Sequence, residues 1–126
     1  MAEPERIVCE SGDLVDGGQG VRFLLGEGRL RVNGFVIRHE GVVRGFVNRC
    51  RHLPVELDSV HGKFFDSTSN FLVCSLHGAA YSPSSGECLW GPCDRKALAP
   101  IYVLERAGKV IVDWKPQTES SNSKDE

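Results

Sequence analysis

Two short stretches constrain this chain more than anything else in it: Cys50-Arg51-His52 and Cys74-Ser75-Leu76-His77. Each sets one thiol and one imidazole close together, and each follows an apolar run, Gly45–Asn48 in the first case and Phe71–Val73 in the second. A strand end is a rigid place to hang a ligand, and the loop beyond it can wrap an inorganic core. The other cysteines are Cys9, Cys88 and Cys93. The total of 5 is odd, the spacing is irregular, and the charged start Met1–Arg6 lacks the apolar stretch of a secretory leader. Metal ligation by some of the cysteines is therefore favoured over a disulfide framework.

The surroundings of the two stretches read as sheet. Most of the 14 glycines separate short runs rich in Val, Ile, Phe and Leu, which is the punctuation of an all-β domain with tight turns. The expected strands are Arg6–Cys9, Val21–Leu25, Gly34–His39, Val42–Asn48, Phe71–Cys74, Ile101–Arg106 and Lys109–Trp114. Hairpins are expected at Glu40-Gly41 and Ala107-Gly108. No segment sustains a helical period, although Leu53–Val60 has room for one helical turn. Asp13–Gly20 reads as a turn-rich loop, since its glycines lack a nucleotide-binding spacing.

Length and charge set further bounds. A chain of 126 residues suits one compact domain, expected over residues 1–114, with a polar, Ser-rich, disordered tail at 115–126. A net charge of −2 points to no nucleic-acid or polybasic membrane contact. The apolar runs are too short to span a bilayer. The expected setting is the cytoplasm.

Two thiolates and two imidazoles satisfy a structural zinc ion. Zinc fingers, however, usually pair cysteine with cysteine and histidine with histidine, whereas here each stretch mixes the two. Mixing suits a two-iron cluster in which both cysteines hold one iron and both histidines the other.

Residues 46–93 resemble a Rieske iron–sulfur domain of the ferredoxin type. The likeness rests on C-x-H at 50–52 and C-x-x-H-G at 74–78, with Tyr81 and Gly91-Pro92 in support. It extends more loosely across residues 6–114. It implies an antiparallel β-sandwich carrying a small cluster-binding subdomain, a [2Fe–2S] cluster held by Cys50, His52, Cys74 and His77, and a covering proline loop at Gly91-Pro92. Around the cluster the resemblance implies Leu53, Pro54, Gly78, Tyr81, Gly91 and Pro92. The imidazoles are then the electron door at the tip, with Leu53, Pro54 and the proline loop as an apolar rim suited to brief docking. Arg51 either steers an acidic partner or bonds nearby backbone.

The departures carry information. Respiratory members of the family have a cysteine in each cluster loop, and these form a disulfide; Val55 and Leu76 stand there instead. They also place a serine where this chain has Ala79. The gap from His52 to Cys74 is longer than usual, so His61–Ser69 is expected to form an enlarged loop. Two neutral imidazoles in place of two thiolates leave the oxidised cluster neutral, which eases its reduction. Rieske centres accordingly span roughly −150 to +300 mV, against about −400 mV for plant-type clusters. With Ala79 and no loop disulfide, the potential is expected in the lower part of that range. It is also expected to fall at alkaline pH as His52 and His77 lose their outer protons.

Quieter readings apply elsewhere. His39 and His61 have no paired thiol and suit the surface. Cys9 reads as a small buried residue at a strand end. Cys88 and Cys93 flank Leu89–Pro92, where a disulfide would stiffen the covering loop, but a reducing compartment disfavours it. Trp90 reads as core, Tyr102 and Trp114 as sheet packing, and Glu56 and Asp58 as a solvated turn.

The expected function is that of a stand-alone electron carrier, passing single electrons from a reductase to an oxygenase or another redox protein through transient contacts. An oxygenase would also need a mononuclear iron site of two histidines and a carboxylate, and only 4 histidines are present. The chain is therefore not expected to be an enzyme by itself. The alternatives are an accessory subunit of a larger oxidoreductase, of nitrite-reductase type, and a zinc-stabilised interaction module.

Overall fold

The computed structural model describes residues 5–26, 31–49, 56–58, 62–74, 78–90 and 97–113. Nine strands are present among them: β1 (Glu5–Glu10), β2 (Val21–Leu25), β3 (Val32–His39), β4 (Val42–Val47), β5 (Leu72–Val73), β6 (Ala80–Tyr81), β7 (Cys88–Trp90), β8 (Pro100–Arg106) and β9 (Lys109–Asp113). The only helical piece among the described residues is a 3-10 turn at Ser11–Asp13, and no described helix is long and apolar enough to cross a membrane.

Six strands form one sheet in the order β1-β9-β8-β4-β3-β2, and β5-β6-β7 form a second, smaller sheet. Every strand pair is antiparallel. The two expected hairpins set the register of the large sheet. Glu40 and Gly41 have φ of 52° and 82°, and Ala107 and Gly108 have 55° and 76°. Two successive positive φ values give a turn whose twist matches that of the flanking strands. β3 and β4 therefore pair from His39↔Val42 to Gly34↔Val47, and β8 and β9 pair from Arg106↔Lys109 outward.

The chain leaves the large sheet after β4 and returns to it at β8, and those two strands are neighbours. Gly45 pairs with Ile101 and Phe46 with Pro100, and the Val47 N–H donates to the Ala99 carbonyl at 2.8 Å. The small sheet and both ligand stretches thus lie on an excursion that starts and ends at one place.

Two buried clusters follow from this arrangement. One lies within the large sheet and includes Leu25, Val36, Ile101, Val110 and Val112. The other joins Phe35, Ile37 and Phe46 of the large sheet to Leu57, Phe64, Leu72, Cys74 and Tyr81 of the excursion. Residues alternate faces along a strand, so Phe35 and Ile37 point one way and Val36 the other, and all three are wholly buried. β3 is covered on both sides, which explains its unbroken apolar run. Phe35 stacks on Phe64 with ring centroids 3.9 Å apart. Fully burying side chains of this size stabilises by roughly 1.5–3 kcal/mol each.

Several expectations need correction. The strand expected at Phe71–Cys74 is only Leu72–Val73, and β6 and β7 were not anticipated. Glu56–Asp58 are not helical, and the rest of Leu53–Val60 lies outside the described residues. The segment up to Ser69 is less open than expected from Gly62 onward. Phe65 bridges Leu72, and the Asp66 carboxylate closes a turn by accepting from the Thr68 hydroxyl and the backbone N–H groups of Asn70 and Phe71. His61, Trp114 and the tail at 115–126 lie outside the described residues.

Candidate metal centre

Of the four proposed ligands, Cys74 is described. Cys50, His52 and His77 lie outside the described residues, as do Arg51, Leu53, Pro54, Val55, Leu76, Gly91, Pro92 and Cys93. Cys74 follows β5 and is buried at 1% exposure. Its main chain closes the second ligand stretch. The Cys74 N–H donates to the Ala79 carbonyl and the Gly78 N–H donates to the Cys74 carbonyl, each at 2.9 Å. Gly78 has φ of +73°, a region that glycine enters without the strain of a Cβ. Ala79, Ala80 and Tyr81 follow and are all fully buried.

The first stretch is held by its flanks. Asn48 and Asp58 are each 3% exposed. The Asn48 side-chain amide donates to Asp58 Oδ1 at 3.0 Å, and its oxygen accepts the Leu57 N–H at 2.9 Å. Asp58 Oδ2 accepts the Gly62 N–H at 2.9 Å and lies 3.3 Å from Arg22 Nε. Arg22 also pairs with Glu56, which accepts from the Asn33 amide. Reading Glu56 and Asp58 as a solvated turn was wrong for Asp58. A buried carboxylate needs partners, and Asp58 has them on both oxygens.

Leu57, where the first stretch returns, and Cys74, where the second begins, belong to the same buried cluster. The residues present fit a two-iron cluster on that ground: a cysteine that can ligate iron as its thiolate is buried in an apolar core shared with Leu57.

The remaining expectations divide. Cys9 is half-buried in β1, as expected. Burial, with Asp13 adding to it, pushes its thiol up to about 11, so it stays protonated at neutral pH. Cys88 is disulfide-bonded, contrary to the expectation of a reduced thiol, and its partner lies outside the described residues. Trp90 is 53% exposed and packs edge-on against Phe71, rather than lying in the core. Tyr102 is 62% exposed. His39 is only half-exposed and stacks on Phe65 with centroids 6.0 Å apart.

A large antiparallel sheet carrying a small inserted sheet, with a buried cysteine at the root of the insert, is the arrangement of a small domain built around an iron–sulfur cluster. Residues 5–110 match the Rieske [2Fe–2S] domain family. The chain belongs to that family, and its cofactor is a [2Fe–2S] cluster.

Solved structures agree on the fold. The chain is similar to the ferredoxin of carbazole 1,9a-dioxygenase from Nocardioides aromaticivorans IC177, with 19% identity and a TM-score of 0.68, covering 90% of this chain and 100% of that one. It is similar to the Sphingomonas yanoikuyae B1 ferredoxin, with 19% identity and a TM-score of 0.70, covering 88% and 99%. It is also similar to the terminal oxygenase of carbazole 1,9a-dioxygenase from Novosphingobium sp. KA1, with 22% identity and a TM-score of 0.69, covering 90% of this chain but only 31% of that one. The chain thus spans about a third of the oxygenase and the full length of the ferredoxins. No curated protein matches its sequence.

Proposed function

We propose that this chain is a one-electron carrier whose cluster is held by Cys50 and Cys74 on one iron and His52 and His77 on the other, and that it delivers electrons to an oxygenase or a similar oxidoreductase rather than catalysing a reaction itself. The observation that carries this reading is the buried Cys74, which sits in the core cluster that also takes up Leu57 beyond the first ligand stretch. When bound, the cluster accepts and releases one electron. The chain's own part is to hold the ligands still. The main-chain bonds of Cys74 with Gly78 and Ala79 hold the ends of one stretch, and the side-chain bonds of Asn48 with Leu57 and Asp58 hold the ends of the other.

The carrier reading gains support from length, since the likeness ends to end is with ferredoxins. In this reading residues 1–114 form a single Rieske domain with its cluster-binding part at 46–93. It meets a reductase and an oxidising partner in turn, in the cytoplasm. The test is EPR of the dithionite-reduced protein, with iron and sulfide measured on the same sample. A rhombic signal with two irons and two sulfides per chain is expected. A colourless, zinc-loaded protein would overturn the reading.

A further inference from the structure

The polar groups around Asn48 form a system that the ligand set does not account for. Asn48 follows β4, two residues before Cys50, and Asp58 stands six residues after His52. Both are buried, and the Asp58 side chain is 0% exposed. Between them they close the stretch with two hydrogen bonds, one from the Asn48 amide to Asp58 and one from the Leu57 N–H to Asn48. A third ties Asp58 forward to Gly62, and Arg22 ties it sideways to β2. The Asn48 N–H itself donates to the Asn33 carbonyl of β3 at 2.8 Å. The base of the stretch is thus bolted to two strands of the large sheet through side chains.

We infer that the buried Asn48–Asp58 pair is the tether that positions the first ligand stretch, so that the grip on the cluster depends on two side chains outside the ligand set. The inference rests on the [2Fe–2S] reading above. Burying a carboxylate opposes folding unless its oxygens are paired, and a surface turn could close this stretch without that cost. What the buried pair adds is a fixed geometry, because both carboxylate oxygens and both atoms of the amide are held by named partners. Removing the charge of Asp58 sets an amide N–H₂ against either the Gly62 N–H or the Asn48 N–H₂, two donors facing each other. The stretch then loses at least one of its closures.

Exchange of the two residues separates positioning from general stability. In the double variant Asn48→Asp with Asp58→Asn, the side chain at 48 still accepts the Leu57 N–H, the amide at 58 donates to the carboxylate at 48, and its oxygen accepts from Gly62. Every closure is retained with donor and acceptor reversed. The experiment follows loss of the visible cluster absorbance in reduced protein mixed with a ferrous chelator, together with the reduced EPR spectrum and the midpoint potential. The samples are wild type, Asp58→Asn, the exchanged pair, and Val112→Ala in the buried cluster of the large sheet as a control for plain destabilisation.

Asp58→Asn should release iron roughly tenfold faster, the equivalent of one lost charge-assisted hydrogen bond, and its EPR spectrum should broaden. The exchanged pair should stay within about threefold of wild type, and Val112→Ala within about twofold, on the same scale. Release from Asp58→Asn no faster than from Val112→Ala, with an unchanged EPR spectrum, would overturn the tether. Where Asp58→Asn fails to fold, the exchanged pair decides: a stable red-brown protein supports the tether, and a colourless one overturns it. Wild-type protein without iron and sulfide is a different result, and it removes the cluster reading itself.

Discussion

The stretch that begins at Cys74 is closed by its own main chain, with two backbone hydrogen bonds and a glycine of positive φ. The stretch that follows Asn48 is closed by side chains, with an amide and a carboxylate carrying most of the joints. Two loops with the same ligand task are thus held by different chemistry. A main-chain closure accepts many side chains but demands a particular backbone conformation. A side-chain closure is indifferent to backbone type but fails when one functional group is changed. The difference also tracks loop length. Cys74 and Gly78 stand four positions apart and are joined by main chain alone, whereas Asn48 and Asp58 stand ten positions apart and are joined by reaching side chains.

The largest effect should come where both loops are alike. Cys74→Ser and, separately, Cys50→Ser should each abolish the visible spectrum and the reduced EPR signal, since each removes one thiolate of the proposed ligand set. Retention of a full cluster in either variant would break the symmetry between the loops. Next comes Asn48→Ala, which strands the Leu57 N–H and one oxygen of Asp58 in a buried site. It should cost about 2–4 kcal/mol, measured by urea unfolding, and it should loosen the cluster as well. A cost below about 1 kcal/mol would mean that the first stretch does not depend on its side chains.

Gly78→Ala probes the other closure. Nothing lies within 4 Å of the added Cβ, so only the conformational preference at φ +73° is at stake. The expected cost is about 1–2 kcal/mol. A β-branched residue there should cost more than alanine, which unfolding of Gly78→Val would check. The smallest effect is expected far from both loops. Arg38 bonds Glu105 at 2.8 Å and also reaches the Leu14 and Ser11 carbonyls. Its hydrogen bond holds the Glu105 carboxyl below the usual range. A lowered carboxylate pKa stabilises above the unfolded value and loses that contribution as pH falls through the folded one. Glu105→Gln should therefore cost no more than about 1 kcal/mol near neutral pH, because the pair is screened by water. The difference from wild type should vanish in acid, and the cluster spectrum should not change.

The sequence made the large sheet legible because its strands are long, apolar and separated by turns with a clear chemistry. Glu40-Gly41 and Ala107-Gly108 turn where they were expected to, and Val21–Leu25 is a strand with the expected ends. The small sheet was harder. Ala80–Tyr81 and Cys88–Trp90 are too short for alternation to show, and they exist because tertiary contacts to β5 and to each other complete them. Cys74 stood out by its spacing to His77, and the fold buries it. The tether was not legible: Asn48 looked like the end of a strand and Asp58 like a solvated acid, and only the fold brings them within 3.0 Å of each other. Trp90 misled in the opposite direction, since size alone suggested burial whereas the residue lies half-open at the edge of the small sheet.

The two-sided cover of β3 has a consequence for the newly made chain. Phe35, Ile37 and Phe46 are sealed by Leu57, Phe64, Leu72 and Tyr81, all of which belong to the excursion between β4 and β8. A molecule whose metal-bearing end has not yet set presents a stripe of greasy rings along an otherwise finished sheet. Such a stripe invites clumping with its own kind. Prompt delivery of iron and sulfide is then as much a matter of keeping the protein in solution as of giving it a charge to carry.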